Sequence, residues 1–286
     1  MDLAGLIIAA GLLAVGSQLS SPARDVFLGI ATSFVFITAL DLLISAQRAV
    51  LNHAAAEFFG GELVRRNVTF VYPDFEPHQE VTDALKAAGI RMRYQRPTSK
   101  IRGFADFWID APFTTASNDI EAILHMATCL DGLGAGSSLM TDRKLLDQCD
   151  CSFLSFGLWS SACTYLYLER VGQARLFELL PEPAAGEARM YARTRNGREF
   201  HSSPDHQFAM ILRYAPDRLH QPQRRWWLIG GLGPEGTIGA AWYLSQKWRY
   251  LAGLVPATQD FVAFVCVPTI APTTAYFDED NDLFTS

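Results

Sequence analysis

The run RRWWLIGGLGPEGTIGAAWYLSQKWRYL sets Gly231, Gly233 and Gly236 in a G-x-G-x-x-G spacing. It lies between a strand pattern, Trp226 to Ile229, and a helix pattern from about Glu235 to Tyr250. Glycines so spaced let backbone N–H groups approach an anion. The helix N-terminus supplies unpaired donors and the positive end of a dipole, so the chemistry is capture of a phosphate or carboxylate. Thr237 and Gly239 add a hydroxyl and a further small residue. A dinucleotide site also needs an acidic residue at the end of the next strand; Asp260 opens that strand instead, so the NAD fingerprint is incomplete. The same glycines equally suit a tight strand-to-helix turn that serves packing. Trp226, Trp227, Trp242 and Trp248 around them read as core rather than as a base-stacking platform.

Two other loops follow strand patterns and can reach the same crevice. Tyr72-Pro73-Asp74 closes the β-branched and aromatic run from Asn67, and Gly157-Leu158-Trp159-Ser160-Ser161 closes the apolar run Cys151 to Phe156. Strand carboxyl ends share one side of an open α/β sheet, so Asp74 and Ser160 would offer a carboxylate and a hydroxyl to a ribose or phosphate. Gly157-x-x-Ser160 is not a G-x-S-x-G elbow, which removes the serine-hydrolase signature. His201 and His206 bracket a polar loop that could hold a general acid or base, or simply face water. His125 and Cys129 lie four apart on a helix pattern with Cys149 and Cys151 further on. A C-x-C on a strand, however, splits its side chains between two faces, and no metal is assigned. Gly132, Gly134 and Gly136 follow a helix and read as a flexible connection; Arg224-Arg225 reads as facing solvent or lipid headgroups.

These groups need elements to hold them, and the first of those elements are apolar. Leu3 to Ala23 carries no charge and would be about 31 Å long as a helix, the thickness of a hydrocarbon core. Val26 to Gln47 carries only Asp41. With Ser20 to Asp25 as a break between them, the two predict an antiparallel transmembrane hairpin over residues 1–47. Asp41 is costly in lipid unless it is near the interface, protonated or paired. No positive region precedes the first run, which argues against a cleaved signal. Arg48, Arg65, Arg66, Lys86 and Arg91 follow the second run while only Arg24 lies in the turn, so the large C-terminal part is expected in the cytoplasm, on the plasma membrane. Residues 48–60 continue as a stalk helix that Gly60-Gly61 stops.

Residues 61–286 alternate strand and helix patterns, with a hairpin over Ala188 to Phe200 turning on the two residues Asn196-Gly197. Asp260 to Pro268 reads as the final strand, and the acidic tail after Phe277 as solvated. The expected fold class is α/β: the transmembrane hairpin followed by a Rossmann-like three-layer domain with a mostly parallel sheet and an antiparallel insertion. A chain that is 49% hydrophobic and 19% charged, with net charge −6, is neither disordered nor suited to nucleic acid. Five cysteines, an odd number for a cytoplasmic domain, argue against a disulfide framework.

In its order of parts, two N-terminal transmembrane helices, a stalk and an α/β domain, the chain resembles the small membrane effectors of bacterial anti-phage nucleotide-signalling systems. That resemblance implies a ligand-binding domain that controls a membrane hairpin, with the GGLGPEGTIGAAWYL element facing the ligand. It transfers no individual residue. The expectation is a membrane-anchored, homo-oligomeric sensor or effector for a nucleotide or other small phosphorylated ligand, with no cofactor assigned. The alternatives are a membrane-tethered nucleotide-processing enzyme using Asp74, Ser160 or His206, and a structural assembly module.

Overall fold

The computed structural model describes residues 11, 14–15, 21–65, 67–73, 83, 87, 91–92, 108–109, 117–147, 150–158, 160–181, 190–277 and 282–286. They divide into two compact units, Met1–Ala54 and Ala55–Ser286.

In the first unit, helix α1 (Ser21–Phe59) runs unbroken for 39 residues, its last turn belonging to the second unit. Its stretch Leu28–Phe59 is long and apolar enough to cross a membrane. The break expected over Ser20 to Asp25 is not seen from Ser21 onward: Pro22 is the second residue of the helix, where its missing N–H costs nothing. Of the first apolar run Gly11, Ala14 and Val15 are described and are helical, and Ser21 to Ala23 already belong to α1; the rest of the expected first transmembrane helix lies outside the described residues.

The second unit continues through the short helix α2 (Gly61–Arg65) to β1 (Val68–Tyr72), then β2 (Arg91–Met92) and β3 (Trp108–Ile109), which pair with each other. Helix α3 (Ser117–Asp131), β4 (Ser137–Thr141), α4 (Asp142–Leu146), β5 (Phe153–Phe156) and α5 (Ala162–Val171) follow. Next come β6 (Phe177–Pro181), β7 (Met190–Thr194) and β8 (Glu199–Phe200), a separate antiparallel sheet. The chain ends with β9 (His206–Tyr214), β10 (Trp226–Gly231), α6 (Pro234–Leu254), β11 (Phe261–Pro268) and β12 (Leu283–Thr285). The expected helix Val81 to Ala88 lies outside the described residues, Asp83 and Ala87 excepted.

The main sheet has seven strands in the order β12-β11-β9-β10-β5-β1-β4. Pairs among β10, β5, β1 and β4 are parallel, whereas β9, β11 and β12 join antiparallel. The sheet is therefore mixed, not mostly parallel. The alternation of β9 reveals a strand, but nothing in it reveals that β9 inserts, reversed, between β10 and β11. Both faces are covered: α6 lies across β9, β10 and β11 with α3 beside it, and α4, α5 and the small sheet bury the opposite face. Double coverage explains why every residue of β10 is buried and why its sequence is a continuous apolar run.

Three local expectations are corrected. The connection after α3 leads into an edge strand, β4, since Val68 N–H donates to the carbonyl of Gly136 at 2.7 Å and the parallel ladder begins there. The β7–β8 hairpin closes through three residues, Arg195-Asn196-Gly197, because Thr194 N–H donates to the carbonyl of Arg198 at 2.9 Å. The final strand is β12, and Asp282 before it is buried and paired with Arg198 at 2.7 Å.

Candidate functional site

The glycine run forms the turn from β10 into α6, and its glycines are spent on close approach. A Cβ on Gly231 would lie 2.4 Å from the carbonyl oxygen of Gly233, and one on Gly236 would lie 2.7 Å from the Gly231 Cα, so these two positions admit no side chain. Gly239 faces Val267 of β11 in the same way, at 2.4 Å. The Thr237 hydroxyl accepts from Gly231 N–H at 3.1 Å, tying the helix back to the strand. Gly233 differs: the atoms nearest to a Cβ there belong to the carboxamide end of Gln207, a side chain rather than backbone. That carboxamide fills the helix N-terminus, with Oε1 accepting from Gly236 N–H at 2.9 Å while Nε2 donates to Glu235. The first turn of α6 thus already holds an acceptor and, in Glu235, a negative charge favoured by the dipole. Beside it lies a cavity of about 320 Å³ bordered by Ser202, Ser203, Gln207, Leu232 and Gly233.

The other expected loops converge on the same end of the sheet. Gly157, left-handed at φ +81°, allows β5 to turn sharply; a Cβ there would lie 2.9 Å from the Pro73 ring after β1 and 3.0 Å from the Ser160 hydroxyl. A Cβ on Gly230 would meet the Leu158 backbone N at 2.6 Å. The carboxyl ends of β1, β5 and β10 are therefore packed against one another, and the order β4-β1-β5 makes β1/β5 a topological switch point. Ser160 is exposed there, and Asp74 lies outside the described residues.

Sequence reasoning missed Asp142. It is buried, and its carboxylate accepts from Arg143 N–H and from Ala162 N–H, both at 2.8 Å, so one side chain serves the N-termini of α4 and α5. The only sequence signal is an Asp after Thr141, itself the N-cap of α4.

The opposite end of β10 holds a second feature that the sequence did not announce. Phe58 and Phe59, the last two residues of α1, are buried against Trp227 of β10 and Trp248 of α6, with ring centroids 5.1 to 6.1 Å apart. Phe261 of β11 stacks on Phe58. Helix-end carbonyls need donors, and the domain provides them: Trp227 Nε1–H donates to Phe59 at 3.0 Å, and fully buried Arg213 donates to Phe58 at 3.3 Å. Arg213 also donates to the carbonyls of Pro256 and Gln259 at 2.6 and 2.8 Å, its guanidinium packing against the rings of both Phe58 and Phe261, 5.2 and 4.8 Å from their centroids. Burial, reinforced by nearby Arg225, pulls Arg213 down to about 10, which leaves it charged at neutral pH. Gly60, at φ +105°, then turns the chain out of the helix. Asp260 sits at this end too, pairing with Arg218 at 2.8 Å. Arg225, expected to face solvent or lipid headgroups, is buried and donates to three backbone carbonyls, and Arg224 pairs with Glu62 and Asp150.

Of the remaining expectations, His201 stacks on Tyr191 and pairs with Glu199, and His206 is exposed at the start of β9. Among the described residues no group of three or more His, Cys, Asp or Glu side chains could hold a metal ion, and Cys129, Cys151, Cys163 and Cys266 are not in disulfides. Comparison of the chain with protein-family models, with curated proteins and with solved structures finds no match.

Proposed function

We propose that the protein is a membrane-anchored sensor or effector whose cytoplasmic domain binds a nucleotide or another small phosphorylated ligand. The observation that carries this reading is the socket around Phe58 and Phe59: a helix long and apolar enough to span a bilayer ends inside the domain core. A simple tether would need no such burial. The two elements that bring tryptophans to the socket both lead to the glycine turn. β10 has Trp227 in the socket and Gly231 at the turn, and α6 has Trp248 in the socket and Gly236 at the turn, about 18 Å away along the helix. The ligand enters the cavity beside Gly233, and its phosphoryl oxygens take over the Gly236 N–H that Gln207 now holds. Freed Gln207 and displaced Glu235 then change how β9 and α6 meet, and the change reaches the stalk. The ligand does this only by binding the active arrangement better than the resting one.

The test is a panel of mono-, di-, tri- and cyclic nucleotides added to the full chain in lipid nanodiscs, with melting temperature and nucleotide consumption followed together. Stabilisation without consumption is expected. Consumption would transfer the assignment to an enzyme, and a well-folded chain that no nucleotide stabilises would remove the ligand class. Gly233→Val is the variant that blocks the cavity entrance, since its side chain meets a flexible carboxamide rather than backbone.

A further inference from the structure

From Thr38 to Asn52 the polar residues of α1 are Thr38, Asp41, Ser45, Gln47, Arg48 and Asn52, and all but Gln47 follow a 3–4–3–4 spacing. At about 100° per residue those five fall within an arc of roughly 80°, with Gln47 on the opposite side. The nine other residues of the segment are Ala, Leu, Ile or Val. Thr38 satisfies itself by donating to the carbonyl of Phe34 at 2.8 Å. Asp41, Ser45, Arg48 and Asn52 are exposed, and among the described residues none of their side chains makes a hydrogen bond or ion pair.

We propose that this stripe is the seam along which a second copy of the chain docks in parallel. The proposal rests on the reading that α1 spans a membrane. A 20-residue span from Leu28 would end at Gln47 and leave Asp41 about 9 Å inside the hydrocarbon, where a carboxylate facing lipid is costly. The part of the chain's own first apolar run that an antiparallel hairpin turning at Ser20 to Asp25 would set level with Asp41 offers no relief, because Leu3 to Val15 contains no side chain with a polar atom. A second copy, inserted with the same orientation, brings the missing partners. In a 3–4 seam each residue meets its own counterpart and those one step away. Asp41 then accepts from the hydroxyl of Ser45 in the second copy, and Arg48 donates to the side-chain carbonyl of Asn52. An Asn in a seam also fixes register and favours a defined oligomer.

The test is oxidative cross-linking of the full chain in its native membranes, comparing Ser45→Cys with Gln47→Cys and with the unaltered protein. The two positions are separated by two residues but lie on opposite faces. Ser45→Cys is expected to give a covalent dimer in at least about tenfold greater yield than Gln47→Cys, and adding Asp41→Leu to lower that yield about tenfold, the size of one interhelical polar contact. Equal yields, a greater yield from Gln47→Cys, or a cross-link to a different protein would overturn the seam. Extraction of the chain from those membranes by alkaline carbonate separates the two levels. A chain that stays in the membrane without cross-linking refutes the seam alone, whereas a chain that is released refutes the membrane reading and the seam with it.

Discussion

If the end of α1 is a structural part of the domain, cutting back Phe59 must destabilise the domain as a core substitution does. Phe59 is fully buried, in contact with Phe58, Trp227 and Trp248, and truncating such a ring to Ala costs about 3–5 kcal/mol. For a unit of this size a change of 1 kcal/mol moves the melting temperature by about 2–4 °C, so Phe59→Ala should lower it by about 10 °C. Val50 is the control on the same helix: it is 71% exposed, and Val50→Ala should stay within about 0.5 kcal/mol. Trp227→Phe isolates the polar part. It leaves the Phe59 carbonyl without its donor, at a cost of about 1–2 kcal/mol beyond the smaller loss of packing. The assay is thermal unfolding of the full chain in nanodiscs, followed by far-ultraviolet circular dichroism and tryptophan fluorescence. A Phe59→Ala melting temperature within a degree or two of Val50→Ala would refute the socket.

Three further outcomes follow from the geometry. Burial raises Asp119 from 3.8 to about 6, so the fold prefers the neutral acid. The stability it contributes is complete below the unfolded value and lost as pH rises through about 6. Asp119→Asn should therefore stabilise by about 3 kcal/mol near pH 8 but only about 1 kcal/mol near pH 4.5, and urea unfolding showing equal gains at both would contradict it. In the glycine turn, Gly236→Ala forces a Cβ against the Gly231 backbone and should cost about 2 kcal/mol or more. Gly233→Ala meets a movable carboxamide and should cost under about 1 kcal/mol, and the reverse order in a thermal melt would show the turn to be built otherwise. Burial also pushes the thiols of Cys129 and Cys163 up to about 11, so iodoacetamide near pH 8 should label neither in the folded chain and both in urea, read by peptide mass spectrometry.

The strands that carry the site were legible in the sequence because burial on two faces leaves a continuous apolar run, as in β10 and β11, and because α6 opens on Pro and carries apolar residues through to Leu254. β4 was not, since an exposed edge strand reading SSLMT has no apolar face to betray it. Strand order was not legible either: the pattern of β9 is the same whether it closes the sheet or inserts within it. The glycine spacing located the turn correctly but could not separate close packing from anion capture, because Gly231 and Gly236 are required for the first whatever the second demands. Arg213 was the largest omission. A single Arg inside FAMILRY carries no local signal, because the carbonyls it serves, those of Phe58, Pro256 and Gln259, lie 155, 43 and 46 positions away. The Phe58-Phe59 pair at the end of a stalk was the available clue.

The central claim, that ligand occupancy at the glycine turn is felt at the stalk, is tested most directly by hydrogen exchange of the Ala55 to Gly60 amides in the full chain. The measurement is made in nanodiscs with and without the nucleotide that most raises the melting temperature. Exchange in this turn is expected to change together with that of Gly233 to Thr237, and Gly233→Val to abolish both changes. Protection confined to the glycine turn, with the stalk amides exchanging at the same rate in both states, would contradict it.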